Sequence, residues 1–122
     1  MKDITYPTVE RIIEYNYLAL TLIKVKRADE PKVLDRGKLI DVLARCQDAE
    51  GDIYDKAVCL LTGLVQKHPF ASGNRRTAFI AAKGFLVGNG APFRIKDEPK
   101  MAKVLLGIRE GYYSNNEVKE LA

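Results

Sequence analysis

Residues 68 to 87 read HPFASGNRRTAFIAAKGFLV, and this stretch contains the only histidine of the 122-residue chain. Its second part, from about Asn74 to Val87, is apolar nearly all round, which is typical of a helix at the buried centre of a bundle. The first part contains a proline and a glycine and predicts a turn that leads into this helix. The stretch therefore predicts a buried helix whose first residues lie beside a histidine.

Apolar residues recur at helical spacing along the rest of the chain, and no alternating pattern is long enough to predict a sheet. The fold class predicted is all-α, a compact bundle of about six helices around a buried central helix, with at most a small β-flap. At 122 residues the chain is expected to form a single domain, residues 1–122. Besides the central helix, helices are predicted from Thr8 onward, at Lys38 to Gln47, at Asp52 to Lys67, at Pro99 to Arg109 and after Ser114.

The composition indicates a soluble protein, with 47% apolar and 30% charged residues. A net charge of +4 suits a phosphate-bearing ligand or an acidic protein surface. The charges are scattered rather than gathered into a basic arm, so nucleic-acid binding has weak support. The first residues do not resemble a signal peptide, and no apolar run approaches the roughly 20 residues that span a bilayer. We therefore expect a cytoplasmic protein without a membrane segment.

The two cysteines, Cys46 and Cys59, lie in apolar helical contexts and form no Cys-x-x-Cys pair. This spacing favours two buried thiols over a disulfide or a zinc site.

Residues 73 to 76 combine the features of a phosphate site at a helix start. The first N–H groups of a helix have no partner within it, and the helix dipole makes that end partly positive. Gly73 allows a ligand to approach the backbone closely, and Asn74 can cap the helix or donate an amide hydrogen bond. The guanidinium groups of Arg75 and Arg76 can hold phosphate oxygens through paired hydrogen bonds.

His68 lies one short turn before this predicted phosphate site. An imidazole with a pKa of about 6.5 can take a proton from a hydroxyl at neutral pH. A hydroxyl activated beside a held polyphosphate is the minimal apparatus for transferring a phosphoryl or nucleotidyl group. A structural alternative exists for each residue alone, because a histidine at a helix end can serve only the helix dipole. Their joint occurrence within ten residues favours the transferase.

These residues also resemble the signature of a known family. The Fic/Doc (Fido) family has the approximate motif His-Pro-Phe-x-Asp/Glu-Gly-Asn-Gly/Lys-Arg, which is matched at His68, Pro69, Phe70, Gly73, Asn74 and Arg76. Thr77 and the segments 33–39 and 88–90 resemble the Doc (death on curing) branch. The resemblance extends over nearly the whole chain, and by it the protein is identified as a Doc-like member of the family.

The resemblance implies an all-helical domain that uses ATP to modify a hydroxyl group of another protein. His68 would be the general base, and the cofactor-binding positions fall at Ser72, Gly73, Asn74, Arg75 and Arg76. Doc proteins carry lysine at the position of Arg75 and are associated with phosphorylating translation elongation factor Tu. Fic proteins that transfer AMP carry glycine there and a second arginine at the position of Phe79. Both differences favour γ-phosphoryl transfer to a Ser or Thr hydroxyl of an elongation factor, with AMP transfer as the alternative.

Ser72 departs from the family pattern, which has an acid that helps to hold Mg²⁺ at this position. A hydroxyl can ligate Mg²⁺ but cannot replace the charge of a carboxylate, so the Mg²⁺ ligands stay unassigned. Asp97 and Glu98 follow the central helix, but the sequence does not bring either of them to the site. A catalytically silent Doc-like module that binds an antitoxin or a nucleotide is therefore a second interpretation.

Family members are often restrained by a helix with the pattern Ser/Thr-x-x-x-Glu-Gly/Asn, and no segment of this sequence matches it. The resemblance thus implies a separate antitoxin chain and a toxin–antitoxin pair. The charged loop at residues 27–37 resembles the flap with which family members dock their target proteins. A solvated connector is the alternative interpretation of that loop.

Overall fold

The computed structural model describes residues 3–22, 32–94 and 99–121, with only the backbone for a few residues of the fifth helix. Over these ranges the chain is all-α, as predicted. The helices are α1 (Val9–Leu22), α2 (Arg36–Asp48), α3 (Ile53–Lys67), α4 (Asn74–Gly88), α5 (Pro99–Arg109) and α6 (Asn115–Leu121). Most of the loop at 27–37, together with Asp97 and Glu98, lies outside the described residues.

The centre of the bundle is the pair of helices α3 and α4. Helix α4 packs most extensively against α3 and then against α1, while α3 also contacts α2, α5 and α6. Both faces of α4 contribute to the core, since Ala78, Phe79, Ala81 and Phe85 are all buried. The prediction of a buried central helix is thus confirmed, and α3 shares that position. Burial on this scale removes the apolar surface of α4 from water, which is the main driving force for assembling the bundle.

Side-chain caps fix several of the helix starts. Thr8 Oγ1 accepts a hydrogen bond from the Arg11 N–H at 3.1 Å, which confirms the predicted start of α1. Ser114 and Glu117 form the predicted capping box, in which each side chain accepts from the backbone N–H of the other residue. Asp52 caps α3 by accepting from the N–H groups of the first turn. Each cap satisfies donors that a helix start otherwise leaves unpaired.

The predicted start of α2 at Lys38 was wrong by two residues, because α2 begins at Arg36. The physical reason is the cap at Asp35, whose side chain accepts a hydrogen bond from the Lys38 N–H at 3.3 Å. Gly37 follows within the first turn and does not prevent the helix from starting. An aspartate three residues before a helical N–H is the signal that the sequence interpretation missed.

The small β-flap is reduced, in the described ranges, to one isolated antiparallel bridge between Val33 and Phe70. Cys46 and Cys59 are free thiols, as predicted; Cys46 is buried and Cys59 is partly buried. Burial raises the pKa of the Cys46 thiol to about 11, so it is inert as a nucleophile at neutral pH. Among the described helices, none has both the length and the apolar character needed to cross a bilayer.

Candidate active site

The loop that joins α3 to α4 begins at His68 with an unusual backbone conformation. His68 is the residue that follows α3, and its φ of 51° and ψ of 58° lie in the left-handed region. In the described part of the chain no other non-glycine residue has a positive φ. Such a conformation carries steric strain for a residue with a Cβ, and Pro69 disfavours the right-handed alternative for the residue before it. His68 is therefore held in this conformation at the first position of the loop, where its side chain is exposed.

The side chain of Asn74 holds this loop together. Its Oδ1 accepts a hydrogen bond from the Phe70 N–H at 3.0 Å, and its Nδ2 donates to the Phe70 carbonyl oxygen at 2.8 Å. The same Nδ2 lies 2.9 Å from His68 Nδ1. Asn74 was predicted either to cap the helix or to donate an amide hydrogen bond, and the structure shows the second role. Its partners are residues of the loop, and the cap position belongs to Gly73.

Phe70 anchors the middle of the loop in the core. Its side chain is 1% exposed. The backbone beside it pairs with the described end of the 27–37 loop: the Ala71 N–H donates to the Lys32 carbonyl at 3.0 Å, and the Leu34 N–H donates to the Pro69 carbonyl at 2.8 Å. The segment before α2 therefore lies along the loop that joins α3 to α4.

Asn16 of α1 supports the same loop from the opposite side. Its Nδ2 donates to the Ser72 carbonyl at 2.8 Å and approaches Thr77 Oγ1 at 3.1 Å. Asn16 is 1% exposed, so these bonds are made in the core. Asn16 lies on the same helical stripe as the apolar residues Val9, Ile12 and Leu20, a pattern that is consistent with a cleft-facing group or with a hydrogen-bonded core residue. The structure shows the second.

The electrostatic surroundings of His68 favour its neutral form. Partial burial lowers the pKa of His68 below its usual 6.5, and the positive charges of Arg109, Arg75 and Lys38 lower it further. A histidine that served only as a cationic partner of the α3 dipole would have a raised pKa instead. The direction of the shift therefore favours a neutral imidazole at pH 7, which is the form required of a general base.

The two neighbouring arginines of the loop point in different directions, because consecutive helical residues lie about 100° apart around the axis. Arg75 is exposed and close enough to His68 to lower its pKa. Arg76 has its guanidinium carbon 5.9 Å from the centre of the Phe79 ring. It lines a groove of about 360 Å³ beside α1, together with residues that include Tyr15 and Lys83. Of these two arginines, Arg75 is thus the one whose charge acts on His68.

The start of α4 has the features of an anion site. Gly73 is the N-cap residue, and as a glycine it supplies no side-chain cap of its own. The φ of Gly73 is +76°, and a Cβ built there would lie 3.1 Å from Leu20 and 3.4 Å from the Asn16 amide nitrogen. Only glycine accommodates both the conformation and this contact. The first backbone N–H groups of a helix have no carbonyl partner within it, so this helix start is a candidate phosphate site.

The same region lacks an obvious metal site. In the three described ranges, no group of three or more His, Cys, Asp or Glu side chains is placed to hold a metal ion. Ser72 is half-buried and its carbonyl is engaged by Asn16, but its side chain is not an acid. The protein residues present here do not fit a Mg²⁺ ion held by carboxylates. We therefore assign no chemical step to a metal.

Comparison with known proteins places this loop in a family. The model of the Fic/DOC family matches residues 25–86, just over half of the 122-residue chain and the whole of the loop. The chain belongs to the Fic/DOC family. It is also similar to the protein called Toxin Doc from Mycolicibacterium smegmatis (strain ATCC 700084 / mc(2)155), with 40% identity over 77 residues. That match covers 58% of this chain and 59% of the length of the relative.

Among the site residues expected from the Fic/DOC resemblance, the structure brings His68, Asn74 and Arg75 together around the start of α4. Gly73 lies at the helix start itself, and Arg76 lies along the groove on another side of α4. The sequence interpretation missed the direct contact between Asn74 and His68. This contact forms because the loop turns back toward His68, and the order of residues in the motif alone does not predict that turn.

Proposed function

We propose that the protein is a Doc-like toxin of a toxin–antitoxin pair that transfers the γ-phosphoryl group of ATP to a Ser or Thr hydroxyl of a translation elongation factor. The observation that carries the proposal is the closeness, within one loop, of His68 to the start of the buried helix α4, where Gly73 is the N-cap residue. The similarity to a protein named Toxin Doc supports the toxin role and the existence of a separate antitoxin chain.

Three groups would take part in the transfer: the start of α4, Arg75 and His68. The backbone N–H groups at the start of α4 would bind phosphate oxygens, and Arg75 would add a guanidinium beside them. His68, neutral because its pKa is lowered, would take the proton of the attacking hydroxyl. The hydroxyl oxygen would then bond to the γ phosphorus of ATP, and ADP would leave. These groups would supply the positioning and part of the charge stabilisation on which phosphoryl transfer depends.

Two positions favour γ-phosphoryl transfer over AMP transfer. Arg75 is exposed beside the loop, where a bulky cation occupies the place that AMP-transferring members keep open with glycine. Phe79, at the position of their second arginine, is 4% exposed and packs against Phe93 at a ring distance of 5.3 Å. That position is therefore part of the core and supplies no cation to bound phosphates.

The proposal is tested by incubating the protein with elongation factor and Mg²⁺-ATP labelled separately at the α and the γ phosphate. We expect only the γ label to appear on the elongation factor. Transfer of the α label would show that the argument from Arg75 is wrong and that the protein transfers AMP. If neither label is transferred to the elongation factor or to another protein, the silent module that binds antitoxin or nucleotide becomes the better description, and Ser72 is the first residue to test as its cause.

Ser72→Asp is expected to raise Mg²⁺ affinity, transfer activity or both. The substitution restores the carboxylate of the family motif, and a carboxylate adds the negative charge that a serine hydroxyl cannot provide to Mg²⁺. The contact of Asn16 with the backbone carbonyl at position 72 is available to either residue. Transfer rates across a Mg²⁺ titration measure the effect.

Ser72→Asn is the matched control, because it has the size of aspartate without the charge. A gain in the aspartate variant that the asparagine variant lacks would assign the effect to charge. Equal behaviour of both variants and the unmodified protein would instead give Ser72 a purely structural role.

A further inference from the structure

The amide group of Asn74 is fixed in one orientation by Phe70. Its Oδ1 faces the Phe70 N–H at 3.0 Å, and its Nδ2 faces the Phe70 carbonyl oxygen at 2.8 Å. If the amide were rotated by half a turn, its N–H₂ group would face the Phe70 N–H, and its oxygen would face the Phe70 carbonyl oxygen. Neither pair could form a hydrogen bond. Asn74 is 5% exposed, so water could not relieve either clash. The identity of the nitrogen that faces His68 is therefore determined by the hydrogen-bond network.

This orientation determines where His68 carries its proton. The Asn74 Nδ2 group has two hydrogens and no acceptor; one hydrogen goes to Phe70, and the other points to His68 Nδ1 at 2.9 Å. Nδ1 must accept that hydrogen and therefore cannot carry one itself. In a neutral imidazole the proton then lies on Nε2, the ring nitrogen left to meet a substrate.

We propose that Asn74 is a positioning residue that holds His68 in its Nε2-protonated tautomer, so that the resting site presents a hydrogen-bond donor to the substrate. The consequence for catalysis rests on the proposed function. To accept a hydroxyl proton at Nε2, the imidazole must first exchange tautomers. Nε2 releases its proton to water, Nδ1 gains one from water, and the Asn74–Nδ1 hydrogen bond breaks.

Asn74 thus controls the state of the base. Breaking the hydrogen bond from Asn74 Nδ2 would free His68 Nδ1, and the base-competent tautomer would become accessible. Protonation to the imidazolium also requires a hydrogen on Nδ1, and the positive groups around the ring oppose it from three helices: Lys38 on α2, Arg75 on α4 and Arg109 on α5. The lowered pKa of His68 agrees with this arrangement.

The test is nuclear magnetic resonance of protein carrying ¹⁵N-labelled histidine. Because the chain has a single histidine, the ring signals need no assignment. In the unmodified protein above pH 7 we expect the Nε2-protonated tautomer in about fivefold excess or more, since one hydrogen bond of typical net strength, about 1 kcal/mol, corresponds to about fivefold. In Asn74→Ala the two ring-nitrogen shifts should move toward each other, and the pKa of His68 should rise.

Asn16→Ala is the matched control, because it removes buried hydrogen bonds to the same loop but leaves Asn74 and His68 in place. Its tautomer ratio should stay unchanged. An Nδ1-protonated ring in the unmodified protein would overturn the inference, as would equal spectral changes in the two variants. If Asn74→Ala does not fold, the spectrum of the unmodified protein still tests the inference, because it shows which ring nitrogen of His68 carries the proton. Label transfer is not part of this measurement, so a protein with the expected tautomer and no transferase activity would overturn the proposed function alone.

Discussion

Replacing His68 with alanine is expected to lower the rate of γ-phosphoryl transfer by about 10²–10⁴-fold, the usual contribution of a general acid–base group. The fold should survive, because the His68 side chain is exposed and most of the hydrogen bonds that hold the loop are made by Asn74, Phe70 and Asn16. Single-turnover transfer of labelled phosphate, with circular dichroism as a check on folding, measures both parts of this expectation.

His68→Gly is the control that separates chemistry from backbone strain. Both variants lack the imidazole and should be equally inactive. Their stabilities should differ, because position 68 has a φ of 51°, a conformation that costs a residue with a Cβ about 1 kcal/mol and glycine much less. Urea unfolding should therefore rank the glycine variant above the alanine variant. Turnover that is unchanged in either variant would remove His68 from the mechanism.

The fold could be predicted from the sequence wherever local signals and the apolar pattern agreed. Helix α5 has the predicted ends, Pro99 and Arg109, because a proline is well suited to the first turn and Gly111 follows soon after the last turn. The start of α2 was misplaced because Gly37 has poor helix propensity, while the cap provided by Asp35 outweighs that cost. Capping chemistry, rather than propensity, decided this boundary.

The candidate site could be predicted as a set of residues but not as an arrangement. The motif string brought His68, Gly73 and Asn74 to the start of α4, and the structure agrees. It could not show that Asn74 turns back to Phe70 and His68, because that path depends on a loop folding against the rest of the protein. The sequence interpretation also treated Arg75 and Arg76 as a pair, although a helix that begins at Asn74 already places consecutive residues about 100° apart around its axis.

Phe70→Ala is expected to lower the free energy of unfolding by about 3–5 kcal/mol, the usual cost of truncating a buried phenylalanine. The ring is 1% exposed and is among the largest fully buried side chains among the described residues. Its backbone is also held between Asn74 on one side and the bridge to Val33 on the other. Loss of the ring should therefore loosen the loop as well as the core, and transfer should fall even where the variant is folded. Urea unfolding and transfer assays at low denaturant measure the two effects.

Leu61→Ala is the matched control for this claim. Leu61 is also 1% exposed, but it lies in the middle of α3, away from the loop, and its truncation should cost a comparable 2–5 kcal/mol. If Phe70 has a specific role in the loop, the folded fraction of Leu61→Ala should retain normal transfer and a normal His68 spectrum, whereas Phe70→Ala should lose both. If the two variants lost transfer activity equally per folded molecule, the effect of Phe70 on the site would be due to stability alone. The comparison therefore decides whether this aromatic residue anchors the active loop or only fills the core beneath it.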